Sequence, residues 1–367
     1  MRGMKHLIVS VAGLGWEELE RRGAARAAGL EFRPVESVFP ALTCVAQATL
    51  RTGLSPERHG MVSNGTWDGI LRRPVFWEQN CRLVAGDRVW GESTGLFFLQ
   101  QSLGEDVELV VSPAPIHKHG GGIVFSCYAK PPEIADALDR ELGVFPLWRY
   151  WGPLASPKVG RACIDRFERA IAMHDVGEAY LYLPTLDYAA QKHGPDSPQA
   201  KAALAEFAKQ AERIAGFCEK AGAALSVIGD YEIAAVDKEP FLPNAILREK
   251  GFFKVRHVGG RAYPDFFEST AFAVCDHEFC FLRGERAQEA EEALLASGGC
   301  EKCEFGLLAK RGSWCGYEWW TDRREAPDYA NHVDIHNKPG FDPKELFFFN
   351  RGVVRGTHGR RCEVAYA

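Results

Sequence analysis

The segment PALTCVAQATLRTGLSPERHGMVSNG, residues 40–65, carries the strongest signal in the chain. Pro40 ends an extended run, Thr43 stands where a helix should begin, and Gly53 is typical of a helix end. A hydroxyl at a helix N-terminus faces unpaired N–H groups and the positive end of the helix dipole, which favours alkoxide formation and phosphate capture. The plainer alternative is that Thr43 is only a helix N-cap.

Short apolar or β-branched runs alternate with longer amphipathic stretches around this segment, which predicts an α/β protein with a mostly parallel sheet. Predicted strands cover residues 6–11, 32–38, 107–111, 179–183 and 224–228. Apolar residues at three- and four-residue steps predict helices at residues 197–220 and 161–173.

The composition changes near residue 239, where Phe-rich short strands, one Ala- and Glu-rich helix and a Cys/Gly/Trp stretch follow one another. We therefore predict a core formed by residues 1–238 and 327–367, with a smaller α+β lobe at residues 239–326 inserted into it. No Pro/Ser-rich linker separates the two parts, so the lobe should pack on the core.

Composition excludes several classes of protein. The net charge of −5 over 367 residues and the pI near 6.2 show no excess of basic residues, which disfavours binding to a nucleic-acid polymer. No stretch approaches the roughly 20 apolar residues of a membrane helix, and the N-terminal apolar run reads as a first core strand. Eleven scattered cysteines are typical of reduced thiols, which favours the cytoplasm. The residues favour no particular oligomeric state.

Three ligand-type side chains accompany Thr43. Asp187 and Asp230 each follow a predicted strand, where side chains converge at the carboxyl edge of a parallel sheet, and His358 lies near the C-terminus. Carboxylates and imidazoles are groups that Zn²⁺ or Mn²⁺ accepts. Paired metals would activate the threonine and neutralise charge on a transferring phosphoryl group. Singly, each aspartate could also be a turn residue or a helix cap.

Thr43, the run TGLSPERHG and Asn64 resemble the signature of the type I phosphodiesterase/nucleotide pyrophosphatase branch of the alkaline phosphatase superfamily. Similar landmarks follow in the family's order: VSVAGLG at residues 9–15, LPTLDYAAQKHGPDS at 183–197, SVIGDYEI at 226–233 and RGTHG at 355–359. The resemblance implies an alkaline-phosphatase-like sheet with helices on both faces and a small-molecule phosphate ester or diester as substrate.

The resemblance also implies roles for particular residues. Thr43 would be the nucleophile and Asn64 an oxyanion donor. One or two Zn²⁺ or Mn²⁺ ions would be held by Asp187, Asp230 and His358.

The chain departs from the family at three ligand positions. Ala12 stands where the family has an aspartate, and Gln191 and Tyr231 stand where it has histidines. Losing even an indirect partner of a metal costs roughly 10–100-fold in affinity or activity, so an unmodified two-zinc site is not expected.

Two further groups are candidates for additional metal or phosphate ligands. One is the pair Asp276 and His277. The other is NHVDIHNK, in which strand alternation places His332, Asp334 and His336 on one face, with Lys338 following. The alternative for the second group is a polar surface strand.

The leading hypothesis is a cytoplasmic, metal-dependent hydrolase of phosphate esters or diesters. Its rival is a non-catalytic binding protein that kept the fold and lost the full two-metal site, which the residues at positions 12, 191 and 231 favour. A third hypothesis is a one-metal hydrolase that uses the region from His332 to His358.

Overall fold

The computed structural model describes residues 3–27, 29–91, 93–120, 122–331, 338–347 and 352–367. His332, Asp334 and His336 lie outside the described residues, so their predicted face remains a prediction.

Most strands are short. In chain order they are β1 His6–Val11, β2 Arg26–Ala27, β3 Leu30–Glu31, β4 Arg33–Glu36, β5 Gly65–Asp68, β6 Arg73–Phe76, β7 Thr94–Phe97, β8 Leu109–Pro113, β9 Ile116–His117, β10 Ile123–Val124, β11 Cys127–Lys130, β12 Glu178–Leu183, β13 Ala224–Gly229, β14 Ala234–Ala235, β15 Val255–Val258, β16 Arg261–Pro264, β17 Phe272–Asp276, β18 Phe279–Arg283, β19 Cys300–Cys303, β20 Gly306–Ala309, β21 Gly356–Thr357 and β22 Glu363–Tyr366.

The helices range from a single turn to a long amphipathic rod. They are α1 Trp16–Arg21, α2 Thr43–Thr52, α3 Pro56–His59, α4 Glu133–Leu142, α5 Leu147–Tyr150, α6 Val159–Met173, α7 Asp187–His193, α8 Pro198–Ala221, α9 Pro243–Glu249, α10 Ala287–Ala296 and α11 Pro343–Leu346. Short 3-10 turns cover Cys81–Leu83, Arg323–Glu325 and Asp328–Asn331.

The largest sheet has eight strands in the order β11-β8-β7-β12-β1-β13-β22-β4. Its five central strands, β8 to β13 in that order, run parallel, whereas β11 and β22 are antiparallel to their neighbours. β1 pairs with parallel strands on both sides, which explains why HLIVSV is almost continuously apolar. The predicted α/β class with a mostly parallel sheet is therefore confirmed.

Local sequence sets the ends of the longest helix, α8. Ser197 accepts a hydrogen bond from the Ala200 N–H at 3.0 Å, Pro198 occupies the first turn, and Gly222 closes the helix with a φ of 68°. Serine at the N-cap, proline in the first turn and glycine after the last turn are the residues that helices prefer at these positions.

A second sheet of four antiparallel strands, in the order β17-β18-β20-β19, has its own apolar core. Leu42 and Val45, at the start of α2, belong to that core, as do Trp314 and Trp319 of the aromatic stretch. The second sheet is therefore packed directly against the helix that carries Thr43. The division into domains at residues 239 and 326 remains a prediction.

Within the described residues, no helix combines the length and the apolar character that a membrane span requires.

Candidate active site

One edge of the central sheet collects the predicted site residues. Asp187 follows β12, Asp230 follows β13, and Thr43 begins the helix after β4. β22 runs antiparallel to β13, so His358, which precedes β22, reaches the same edge. Ligand sites of open α/β sheets form at this carboxyl edge.

Thr43 is the first residue of α2 and not its cap. Leu42 holds the N-cap position and caps nothing with its side chain, so the threonine hydroxyl is not used to close the helix. The hydroxyl lies 3.5 Å from the Tyr231 hydroxyl and also interacts with that of Tyr182. Thr43 is thus a buried hydroxyl at a helix N-terminus that interacts with two phenolic hydroxyls.

Asp187 and Gln191 pair with each other one helical turn apart on α7. The Gln191 side-chain amide donates to Asp187 Oδ1 at 2.6 Å, and the Gln191 side-chain carbonyl has no hydrogen-bond partner among the described residues. Burial raises the pKa of the Asp187 carboxyl, against the hydrogen bond from Gln191. Where the family places a metal-binding histidine, this chain has an amide that binds the neighbouring carboxyl.

Asp230 lies deeper and does not line the cavity described below. Its Oδ1 accepts the Gly13 N–H at 3.1 Å, while Oδ2 has no partner within the part of the chain that the structure describes. Burial, and secondarily the nearby charge of Asp187, raises the pKa of Asp230 well above its ordinary value. Ala12 is completely buried, and its methyl side chain has no atom that could bind a metal together with this carboxyl.

His358 is fixed between two rings. Its Nδ1 donates to the Ala41 carbonyl at 2.9 Å, and Tyr231 stacks on it with ring centroids 3.5 Å apart. On its other side the His277 ring centroid lies 3.8 Å away. Burial, followed by the charge of His277, lowers the pKa of His358 well below its ordinary value, so the ring is neutral with Nε2 as its acceptor nitrogen.

Asp276 and His277 reach the site from the hairpin between β17 and β18. Asp276 Oδ2 accepts from Ser63 Oγ and the Asn64 N–H, both at 2.7 Å, and Oδ1 accepts from the Asn64 side-chain amide at 3.2 Å. Burial would raise the pKa of Asp276, but hydrogen bonds from His277, Ser63 and Asn64 hold it below its ordinary value. The predicted pair is therefore in contact with the segment that carries Thr43.

Asn64 is held by hydrogen bonds to two protein groups. Its Oδ1 accepts the Cys44 N–H at 3.0 Å, and its side-chain amide donates to Asp276. It is not among the side chains that line the cavity. Its predicted role as an oxyanion donor remains a prediction, since one amide hydrogen is left for a ligand.

A cavity of about 120 Å³ joins most of these residues. Thr43, Asp187, Gln191, Tyr231, His277 and His358 line it. Its other described walls are mainly aromatic or apolar: Trp77, Tyr150, Trp151, Tyr182, Tyr188, Phe341, Leu147, Leu346, Pro113, Pro115 and Pro184, with Gln79, Gln100 and Ser112. No lysine or arginine is among the described lining residues. A larger groove of about 1010 Å³ beside α9 holds none of the predicted site residues.

The aromatic walls are the part of the site that sequence reasoning missed. Trp77, Tyr150, Tyr188 and Phe341 belong to separate segments that meet only in the folded chain, and no local pattern marks them. Lys338, a predicted additional metal or phosphate ligand, is not among the described residues that line the cavity. Its buried ammonium forms an ion pair with Glu345, which also accepts from Tyr317.

The described residues do not fit the two-metal centre that the resemblance implies. Ala12, Gln191 and Tyr231 supply no family ligand, and the Tyr231 ring lies against the imidazole of His358. In the described ranges, no three His, Cys, Asp or Glu side chains are grouped so as to hold a metal ion. Binding of Zn²⁺ or Mn²⁺ therefore remains a prediction.

A family model described as type I phosphodiesterase/nucleotide pyrophosphatase matches residues 7–342. The chain belongs to this family. The type I phosphodiesterase/nucleotide pyrophosphatase match covers every landmark from β1 through the hairpin that carries His277, and the predicted relationship is confirmed. No curated protein matches the chain significantly.

Solved structures share the fold. Phosphonoacetate hydrolase from Sinorhizobium meliloti 1021, in complex with phosphonoformate, has a TM-score of 0.61 and 15% identity, over 100% of this chain and 89% of that one. Murine ectonucleotide pyrophosphatase/phosphodiesterase 5 has a TM-score of 0.51 and 14% identity, over 99% and 87%. The human protein of the same name has a TM-score of 0.52 and 14% identity, over 99% and 87%. At these identities the similarity establishes the alkaline-phosphatase-like fold alone.

Proposed function

We propose that this protein hydrolyses a small phosphate ester or diester, with Thr43 as the nucleophile. The observation that carries the proposal is the position of the Thr43 hydroxyl. It lies at the start of α2, is not used as a cap, and faces a cavity that Asp187 and His358 also line. A helix N-terminus favours both the phosphoryl group and the alkoxide that attacks it.

The neighbours of Thr43 provide a route for its proton. The Tyr231 hydroxyl is 3.5 Å from Thr43 Oγ1 and also interacts with the Asp187 carboxyl. As Oγ1 bonds to phosphorus and the bond to the leaving oxygen breaks, the threonine proton passes through Tyr231 to Asp187. Water then attacks the phosphorus of phospho-Thr43 and releases one proton, which balances the proton that the leaving oxygen takes up. The bond to Oγ1 breaks, and Thr43 recovers its proton from Asp187.

The cavity limits the substrate. At about 120 Å³ it accommodates a phosphoryl group with a small substituent, and its aromatic walls favour an apolar or aromatic one. The related structures were solved with phosphonoformate and with AMP, which supports a phosphorus-containing ligand here. A cytoplasmic location is part of the same proposal, supported by eleven free cysteines.

The proposal is tested with protein purified without chelator and assayed on aryl phosphate monoesters and diesters, before and after dialysis against EDTA. Thr43→Ala should lose turnover, while the matched variant Thr321→Ala, at an exposed position, should keep it. Metal analysis of the same samples tests the predicted dependence on Zn²⁺ or Mn²⁺. Turnover that survives in Thr43→Ala would contradict the assignment.

A binding protein is the second candidate, because the ligand positions hold Ala12, Gln191 and Tyr231 and the cavity is largely aromatic. The binding function is favoured if wild-type protein carries no metal and turns over no phosphate ester, yet binds an aryl phosphonate. Replacing Ser112, which lines the cavity, with a bulky residue should then abolish that binding.

A further inference from the structure

The hairpin between β17 and β18 brings a histidine to the cavity that no ligand position of the family accounts for. His277 lines the same cavity as Thr43, although Thr43 begins α2 and His277 lies in the hairpin between β17 and β18, far away in sequence. The link between them is short. Asp276 binds the Asn64 N–H and side chain, and Asn64 in turn accepts the N–H of Cys44, the residue after Thr43.

The His277 ring is held in one orientation. Its Nδ1 lies 2.7 Å from Asp276 Oδ1, and the ring stacks between His358 at 3.8 Å and Phe341 at 4.4 Å between centroids. The backbone of His277 has a φ of 55°, a left-handed conformation that non-glycine residues adopt infrequently. Such backbone strain persists only where the surroundings determine it, and it is concentrated at functional sites.

The other ring nitrogen has no hydrogen-bond partner among the described residues. His277 Nε2 is buried and forms no hydrogen bond within the described part of the chain. A buried polar atom without a partner is unfavourable, unless a ligand supplies one. A histidine that served only to close the hairpin would need the bond to Asp276, but it would not need to line a cavity with a second ring nitrogen that no described residue binds.

We propose that His277 is the general acid of this site, which protonates the leaving-group oxygen from Nε2, and that Asp276 positions its ring. This inference rests on the proposed hydrolase function. A carboxylate on Nδ1 and a reacting atom at Nε2 is the arrangement by which an Asp–His pair handles protons in hydrolases. Here the Asp276–His277 pair protonates the leaving-group oxygen, at a site where three of the family's metal ligands are replaced.

Each catalytic group regains its starting protonation state after two steps. In the first, Thr43 Oγ1 bonds to phosphorus, the bond from phosphorus to the leaving oxygen breaks, and that oxygen takes the proton from His277 Nε2. The threonine proton goes to Asp187 through Tyr231. In the second step, His277 Nε2 takes a proton from the attacking water, the bond between phosphorus and Oγ1 breaks, and Asp187 returns a proton to Thr43. Both groups end in their starting states.

The role is tested through the leaving group. His277→Asn and His277→Gln are compared with wild type in single-turnover assays on methyl aryl phosphates, from 4-nitrophenol to unsubstituted phenol as leaving group. Asparagine tolerates the left-handed backbone, so at least one variant should fold. His257→Gln, at an exposed position of β15, is the matched control, and thermal melting verifies folding.

A general acid is needed most when the leaving group is a poor one. The His277 variants should lose about 100-fold or more with phenol and about 10-fold or less with 4-nitrophenol. Asp276→Asn should also lose more rate with phenol than with 4-nitrophenol as leaving group, since Asp276 acts through the His277 ring. An equal loss with every leaving group in a folded variant would overturn the general-acid role while leaving the proposed function intact. Absence of Thr43-dependent turnover across the series would overturn both.

Discussion

The phenol ring of Tyr231 lies flat against the imidazole of His358, with ring centroids 3.5 Å apart and 2° between the planes. In the family pattern, position 231 holds a second imidazole that binds metal. Here an aromatic ring packs against the remaining histidine, and its hydroxyl is directed to Thr43. The substitution therefore changes the chemistry around the nucleophile as well as removing a ligand.

Restoring the lost ligands should restore metal binding. The triple variant Ala12→Asp, Gln191→His and Tyr231→His is expected to retain divalent metal after gel filtration, with at least about 10–100-fold higher affinity than wild type. Elemental analysis and zinc titration measure this directly. The single variant Ala12→Asp serves as control, and a wild-type protein that already holds two ions per chain would contradict the interpretation.

The helix that carries Thr43 is anchored by a buried arginine. Arg51 is completely buried and donates to the carbonyls of Gln100 and Gln101 and to Glu105. Arg51→Ala should reduce the free energy of unfolding by about 3–5 kcal/mol, because two carbonyls lose their donor and Glu105 keeps only Arg88 as its arginine partner. Arg58→Ala, at an exposed position of α3, should cost less than about 0.5 kcal/mol in the same urea titrations. Similar midpoints for the two variants would contradict the anchoring role.

Gly229 sets the position of Asp230. A Cβ at this residue would lie 2.2 Å from the Leu14 carbonyl oxygen, which is backbone and cannot move aside cheaply. Gly229→Ala should therefore destabilise the protein by about 1–3 kcal/mol and lower turnover by displacing the strand end. Gly216→Ala, in α8 with nothing within 4 Å, is the matched control and should stabilise by about 0.4–1 kcal/mol. Equal Tm values for both variants would refute this close approach.

Glu232 should make stability depend on pH. Its Oε1 accepts the Glu18 N–H at 3.0 Å, and burial raises its pKa from an ordinary 4.5 to about 7. An acid whose folded pKa is raised binds its proton more tightly when folded, so it costs stability progressively from pH 4.5 to 7 and by a constant amount above. The Tm difference between Glu232→Gln and wild type should rise in favour of the variant over that window and then level off. A difference independent of pH would contradict the burial of this carboxyl.

Much of the fold could be predicted from local patterns. The predicted strands at residues 6–11, 179–183 and 224–228 match β1, β12 and β13 within a residue, since buried parallel strands form continuous apolar runs. The helix predicted at residues 197–220 is α8. β7 and β22 were missed because strands of four residues give too short an alternation to stand out.

The site was less accessible to sequence reasoning, because its contacts join distant segments. The residue types at positions 43, 187 and 358 indicated chemistry, and strand ends indicated where they meet. The docking of Asp276 on Ser63 and Asn64 spans more than 200 residues and depends on how the second sheet packs against α2. No periodicity encodes such a contact.

The most direct test of the account is detection of a phosphoryl group on Thr43. Wild-type protein is mixed with a 4-nitrophenyl phosphate ester, quenched in acid within the first turnover and digested for mass spectrometry. We expect one phosphoryl group on the peptide that contains Thr43, and none in Thr43→Ala. Two results together would contradict the role of Thr43 as nucleophile: wild type releases product without a phosphorylated Thr43 peptide, and Thr43→Ala releases product at the same rate.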